Sequence, residues 1–238
     1  MIARTSFALL MMLLVCAPPA LAYRPFDSTD ADVVKDGAWE VELSPLSYRH
    51  NDDGTAWVAP ALILNYGITD WLEAVVEGEA GHFTAGKSEL SDVAASLKAL
   101  LRKGSLQGGE GWSLATELST LLPGIGADDG GGFELVGIAS QEFGWGTLHF
   151  NLGAGRERDG YGLAFFGTIL EGPASWMVRP VAEFRYERVF GVEAEVAALI
   201  GVIWSVSETL SLDLAIRHAW IGSRPDEQIR VGMTFDVQ

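Results

Sequence analysis

Acidic and basic side chains recur at every second position in several stretches of this sequence, and they are the groups with chemistry to offer. Glu73, Glu77 and Glu79 make one such row, and Asp92, Ser96, Lys98 and Arg102 a second. Arg179, Glu183, Arg185 and Glu187 make a third, followed by Glu193 with Glu195, Asp213 with Arg217, and Arg230. Glu40, Glu42 and Glu117 are further members. A spacing of two places such groups on one face of a β-strand. If the strands close into a barrel, that face is the inner wall. Two outcomes then follow. Opposite charges can pair across neighbouring strands and seal the interior, with Arg179 and Arg185 meeting Glu193 and Glu195, and Arg217 meeting Asp213 or Asp236. Alternatively the rows line a polar conduit, in which the excess of carboxylate favours cations.

Catalytic and metal chemistry have weaker support. His50, His82, His149 and His218 share no metal-ligand spacing, and no Gly-x-Ser-x-Gly elbow or phosphate-cradling loop is present. No catalytic residue, metal ligand or cofactor is therefore assigned. A hydrolase would require serines to meet His149 across strands, as barrel lipases assemble such sets in space.

The elements that must carry the charged rows are strands. Between Gly191 and Val237, Val192, Ala194, Val196, Ala198, Ile200, Val202 and Trp204 oppose Glu193, Glu195, Ala197, Gly201 and Ser205. Leu210, Leu212, Leu214 and Ile216 then oppose Ser211, Asp213, Ala215 and Arg217. A soluble sandwich would bury such an apolar row against a second sheet, whereas a membrane barrel turns it to lipid. About twelve such segments recur between turn signals, near 39–49, 56–67, 71–82, 91–102, 112–122, 132–143, 146–156, 161–170, 175–188, 192–205, 210–220 and 228–237. Most reach the 9–11 residues of a tilted transmembrane strand. A helix is the alternative for 91–102, which is rich in Ala and Leu. Segments 132–143 and 161–170 are apolar on both faces and have no legible orientation. Connections alternate between polar loops such as His50–Thr55 and tighter turns such as Ile68–Asp70, with Lys103–Gly111 an exception. Tryptophans and tyrosines gather at segment ends, as interfacial girdles require.

The ends and the composition narrow the class. Met1–Ala22 carries Arg4, an apolar run and a small-x-small site, and reads as a signal peptide cleaved near Ala22. Cys16 lies inside it; a lipoprotein reading of Leu13-Leu14-Val15-Cys16 is disfavoured because the residue before a lipidated cysteine is normally small, and the mature chain then has no thiol. Tyr23–Asp36 is polar and unpatterned, a periplasmic tail or a small plug held by Arg24 and Asp30. With 32 acidic against 16 basic side chains, nucleic acid is excluded as a partner.

Two short motifs carry a family resemblance. Arg24-Pro25-Phe26-Asp27-Ser28-Thr29-Asp30-Ala31 and Tyr66-Gly67-Ile68-Thr69-Asp70-Trp71-Leu72-Glu73 resemble the opening and the second turn of a bacterial outer-membrane transporter family named for the meta-pathway of phenol degradation. The resemblance implies a barrel passing small, often hydrophobic compounds, without catalytic residues. Barrels usually end in an aromatic residue, whereas here Phe235 is followed by Asp236-Val237-Gln238.

The sequence thus predicts an all-β protein, a closed antiparallel transmembrane β-barrel of about 12 strands. Residues 1–22 are the signal peptide, 23–38 a periplasmic or plug segment, and 39–238 the barrel. The expected function is an outer-membrane channel or uptake pore for small molecules, with an acidic lumen lined by Glu73, Glu77, Glu79, Lys98, Arg102, Glu117, Arg179, Glu183, Arg185, Glu193, Glu195, Asp213, Arg217 and Arg230. Its expected partners are outer-membrane lipid, a small-molecule solute and the barrel-assembly machinery, with the chain a monomer. The alternatives are a sealed structural or adhesive barrel, a secreted ligand-binding β-sandwich, and an outer-membrane hydrolase.

Overall fold

The computed structural model describes residues 24–51, 54–83, 88–123, 125 and 130–237. The expected signal peptide, its cleavage site and Cys16 lie outside them. The alternating segments become β1 (Trp39–Asn51), β2 (Gly54–Thr69), β3 (Leu72–Phe83), β4 (Ser88–Arg102), β5 (Ser113–Leu121) and β6 (Gly132–Phe143). They continue as β7 (Gly146–Arg156), β8 (Gly162–Glu171), β9 (Val178–Val189), β10 (Ala194–Ser205), β11 (Leu210–Ile221) and β12 (Arg224–Val237). Each pairs antiparallel with its sequence neighbours and β12 closes on β1, giving a closed twelve-stranded barrel. Closure leaves no free sheet edge, which a long apolar-faced meander would otherwise expose. No described helix is long and apolar enough to cross a membrane.

The helical alternative for 91–102 is not realised. Helix propensity is worth only a few tenths of a kcal/mol per residue, and β4 is ladder-bonded on both sides, to β3 and to β5. The two segments of unclear orientation also resolve. Val136 and Ile138 of β6, and Leu163, Phe165 and Ile169 of β8, point inward and are buried, while Leu135, Phe166 and Leu170 point outward.

Outward rows form one apolar belt, with Leu97, Leu118, Leu152, Ile200, Leu214 and Ile216 each at least half exposed. Aromatics mark its edges. Trp39, Trp71, Trp145, Trp176 and Trp204 ring the end that holds β1's start and β12's finish, here the terminal rim, and Trp57 and Trp220 stand at the opposite, distal rim. An apolar belt flanked by aromatics is the surface a hydrocarbon core requires.

The predicted alternation of loop lengths is not kept. β1 and β2 extend to Asn51 and from Gly54, so their link shrinks to residues 52–53, and β12 begins at Arg224 rather than near 228. Polar residues there continue the ladder, with Asn51 opposite Asp226 and Ile221 opposite Arg224. Composition alone reads such residues as loop, because the apolar face ends before the hydrogen-bonded ladder does.

Candidate functional site in the barrel lumen

Residues 24–34 lie inside the barrel, bound to inward side chains from most of its strands, and residues 35–37 emerge exposed at the terminal rim. Arg24 Nε is 3.7 Å from Asp213, and Arg230 donates to the Pro25 carbonyl at 2.9 Å. Phe26 packs on Val181, Leu199, Ile203 and Ala215. The Asp27 carboxylate is clamped between Arg217 Nε and Arg230 Nη2, each at 2.6 Å. Backbone N–H groups of Asp27 and Ser28 donate to the two Glu183 oxygens, both at 2.8 Å. Asn151 accepts from Thr29 N–H and donates to its carbonyl, and Ala31 N–H donates to Ser140 Oγ. Asp30 pairs with Lys98 Nζ at 3.2 Å, and Gln107 donates to Ala31 O and Asp32. Val34 N–H donates to Glu73, and Gly37 N–H to Gly67 O.

The wall is shaped to receive this segment. A Cβ at Gly167 would collide with Ser28 Oγ, and one at Gly67 with the carbonyls of Val34 and Lys35. Both glycines face the segment where the backbone must come close.

Electrostatics favours the seated state. Burial alone would raise Asp27, but Arg230, Arg217 and Arg185 overcome it and hold its carboxyl below the usual aspartate range. Asp30 is held down in the same way, chiefly by Lys98.

The predicted wall residues can now be placed. Glu73, Lys98, Arg179, Glu183, Asp213 and Arg217 are buried and face inward. Glu77 and Glu79 continue the Glu73 row, and Glu79 lines a distal cavity. Glu117 stands opposite Lys98 in the β4–β5 register. Arg185, Glu195 and Arg230 are half-buried members of the same lining, Arg185 lying 4.3 Å from the Phe165 ring centroid. Two residues depart from the prediction. Arg102 is exposed at the terminal rim beside Gly111, because a bulge between Leu100 and Arg102 breaks the alternation. Glu193 is exposed in the β9–β10 turn and pairs with Arg224 at 2.7 Å.

The expected charge partners are largely exchanged. Arg179 lies 3.6 Å from Glu171, Arg185 binds Glu187 at 2.6 Å, and Arg217 binds Glu195, Asp27 and Asp226. Register explains this. Arg179 faces Ile203 and Arg185 faces Ala197 on β10, so neither meets Glu193 or Glu195. Arg217 faces Leu199 and Gln228, so neither Asp213 nor Asp236 is its partner.

Asp27 is the principal functional residue that strand periodicity does not reveal, since it precedes the first strand. Leu199 and Ile203 were also missed, being apolar members of a polar row. His149 is fully buried, with Nδ1 at 2.8 Å from Ser140 Oγ and Nε2 at 3.2 Å from Glu171. The serine and histidine a hydrolase would need thus do meet. Ser140 Oγ is, however, fully buried and already accepts the Ala31 N–H, so a seated segment leaves no approach to the hydroxyl. Among the described residues no cluster of His, Cys, Asp or Glu could hold a metal ion.

On either side of the segment the lumen holds a cavity, about 810 Å³ at the terminal end and about 250 Å³ at the distal end. A closed antiparallel barrel with an apolar, aromatic-edged belt has the architecture of an outer-membrane β-barrel. The comparisons agree at the level of fold. The KdgM porin aligns with a TM-score of 0.61 at 8% identity, over 82% of this chain and 98% of the porin. An outer membrane channel from Pseudomonas putida F1 aligns at 0.60 and 12% identity, over 90% and 99% of the two chains. CymD, a monoaromatic hydrocarbon channel, aligns at 0.51 and 8% identity, over 85% and 89%. No protein-family model matches the sequence, and no curated protein is a significant match.

Proposed function

We propose that this protein is an outer-membrane channel or uptake pore for small, often hydrophobic molecules, closed at rest by its own residues 24–34. The carrying observation is the divided lumen: a cavity on each side of a segment held mainly by hydrogen bonds and ion pairs. Polar locks of this kind can be exchanged for water or solute, whereas a packed apolar plug could not release without exposing its core. The terminal cavity is lined by Asp32, Glu40, Asp70, Glu73, Glu142 and Asp236 against Lys35, Lys98 and Lys103. That balance supports a cation preference at this mouth. The motifs at 24–31 and 66–73 support membership of the meta-pathway family, and the likeness to CymD supports hydrophobic solutes. In this reading the chain is a monomer, placed in the outer membrane by the barrel-assembly machinery.

The sealed structural barrel is the second reading, favoured by the density of ion pairs around Asp27. Single-channel conductance of the refolded protein in a planar bilayer under a salt gradient separates the two. Discrete cation-selective steps are expected once the segment is released, as in Glu183→Ala. A Glu183→Ala barrel that stays silent yet shows heat-modifiable migration would instead establish the sealed form.

A further inference from the structure

The wall under Phe26 and Asp27 sets an apolar patch beside two guanidinium groups, which the segment covers with one ring and one carboxylate. Leu199 is the register partner of Arg217 across β10 and β11, and Ala215 is the register partner of Arg230 across β11 and β12. An apolar patch completed by Val181 and Ile203 is therefore built edge to edge with two guanidinium groups. Their backbones belong to hydrogen-bonded strands, and their guanidinium groups have wall partners besides the segment. Arg217 is also held by Glu195 and Asp226, and Arg230 by Gln228. When Pro25 and Asp27 leave together, Arg217 Nε and the two Arg230 amino groups become available to another carboxylate.

We propose that this patch is a binding site for small amphipathic carboxylates, a ring bearing a carboxylate one or two bonds away, which Phe26 and Asp27 occupy as a tethered stand-in. The inference rests on the reading of the barrel as a small-molecule pore and names a ligand class for this patch, which borders the distal cavity rather than the acidic terminal mouth. The ring takes the place of Phe26 on Val181, Leu199 and Ile203. The carboxylate takes the place of Asp27 between the arginines, so one negative charge replaces another and no buried cation is left unpaired. A neutral ring would leave Arg230 without a carboxylate and Arg217 with one fewer, and a bare carboxylate would leave the apolar patch uncovered. Because the competitor is on the same chain, it acts at a high effective concentration, and free ligand binds tightly only when the tether is weakened.

Calorimetric titration of the detergent-folded full chain tests this without reference to conduction. Phenylacetate is expected to bind Asp27→Ala about tenfold or more tightly than wild type. It should also exceed acetate and 2-phenylethanol on that variant by about tenfold each, and Arg230→Gln added to Asp27→Ala should abolish the gain. Equal binding of 2-phenylethanol, retention of affinity without Arg230, or no phenylacetate binding to folded Asp27→Ala would each overturn the proposal. If Asp27→Ala does not fold, wild-type hydrogen exchange at Ser28 decides. Saturating phenylacetate, but not acetate, should accelerate it, and an unchanged rate would overturn the assignment. A pore that conducts yet fails these titrations would retain its channel function and lose only this ligand class.

Discussion

Removing the Glu183 carboxylate should release residues 24–31 while leaving the barrel intact. Glu183 is buried on β9 and accepts the Asp27 and Ser28 N–H groups at 2.8 Å each. A hydrogen bond to a charged acceptor contributes about 1.5–3 kcal/mol, and a donor left buried without one costs a similar amount. Against this, Glu183 and Asp27 repel one another, and alanine relieves that repulsion. The balance for Glu183→Ala is about 3 kcal/mol against seating, on the order of a hundredfold in the seated-to-released ratio. Glu183→Gln keeps one acceptor oxygen and should cost about half as much, on the order of tenfold. Hydrogen exchange by mass spectrometry reads this directly, because local opening sets the exchange rate of those amides. Protection over residues 24–31 should fall by these factors while β6, β7 and β10 stay unchanged. Undiminished protection at Asp27 and Ser28 in Glu183→Ala would refute the reasoning, as would equal loss throughout the strands.

Three further outcomes follow from the same geometry. Gly167→Ala should press on Ser28 and weaken seating by about 1–3 kcal/mol, with Ser28→Gly restoring exchange protection in the double variant. Asp27 and Asp30 titrate lower when seated than at the ordinary value of 3.8, so their contribution to seating is complete above that value and is lost as the pH falls through their seated values. Conductance of the refolded protein should accordingly rise as the pH falls below about 4, and the absence of any rise there would contradict this lock. Ile200, 66% exposed at the middle of β10, faces the belt. Ile200→Lys should therefore destabilise the lipid-embedded barrel by about 2–4 kcal/mol in equilibrium unfolding, and a neutral effect would place that face in water.

What the sequence determined by itself was the wall. Period-two alternation is a local property of the chain, so β9 through β12 could be oriented from side-chain type alone, and Glu183, Asp213, Arg217 and Arg230 were assigned inward. It failed where local regularity is broken, as at the bulge before Arg102, or where the ladder runs past the apolar face, as at Arg224–Gln228. Tertiary structure alone decided the partners. Arg217 and Glu195 share no sequence proximity and do not face each other in the register, where Glu195 faces Ile221 and Arg217 faces Leu199; the long guanidinium side chain spans that offset inside the barrel, and Asp27 reaches both arginines because closure surrounds it with β9, β11 and β12. Glu183 was legible as inward, but its role was not, since its ligands are backbone N–H groups that carry no signature in the sequence. The lumen is divided by a segment without periodicity. Its place is set by the sum of contacts to many strands rather than by any pattern of its own.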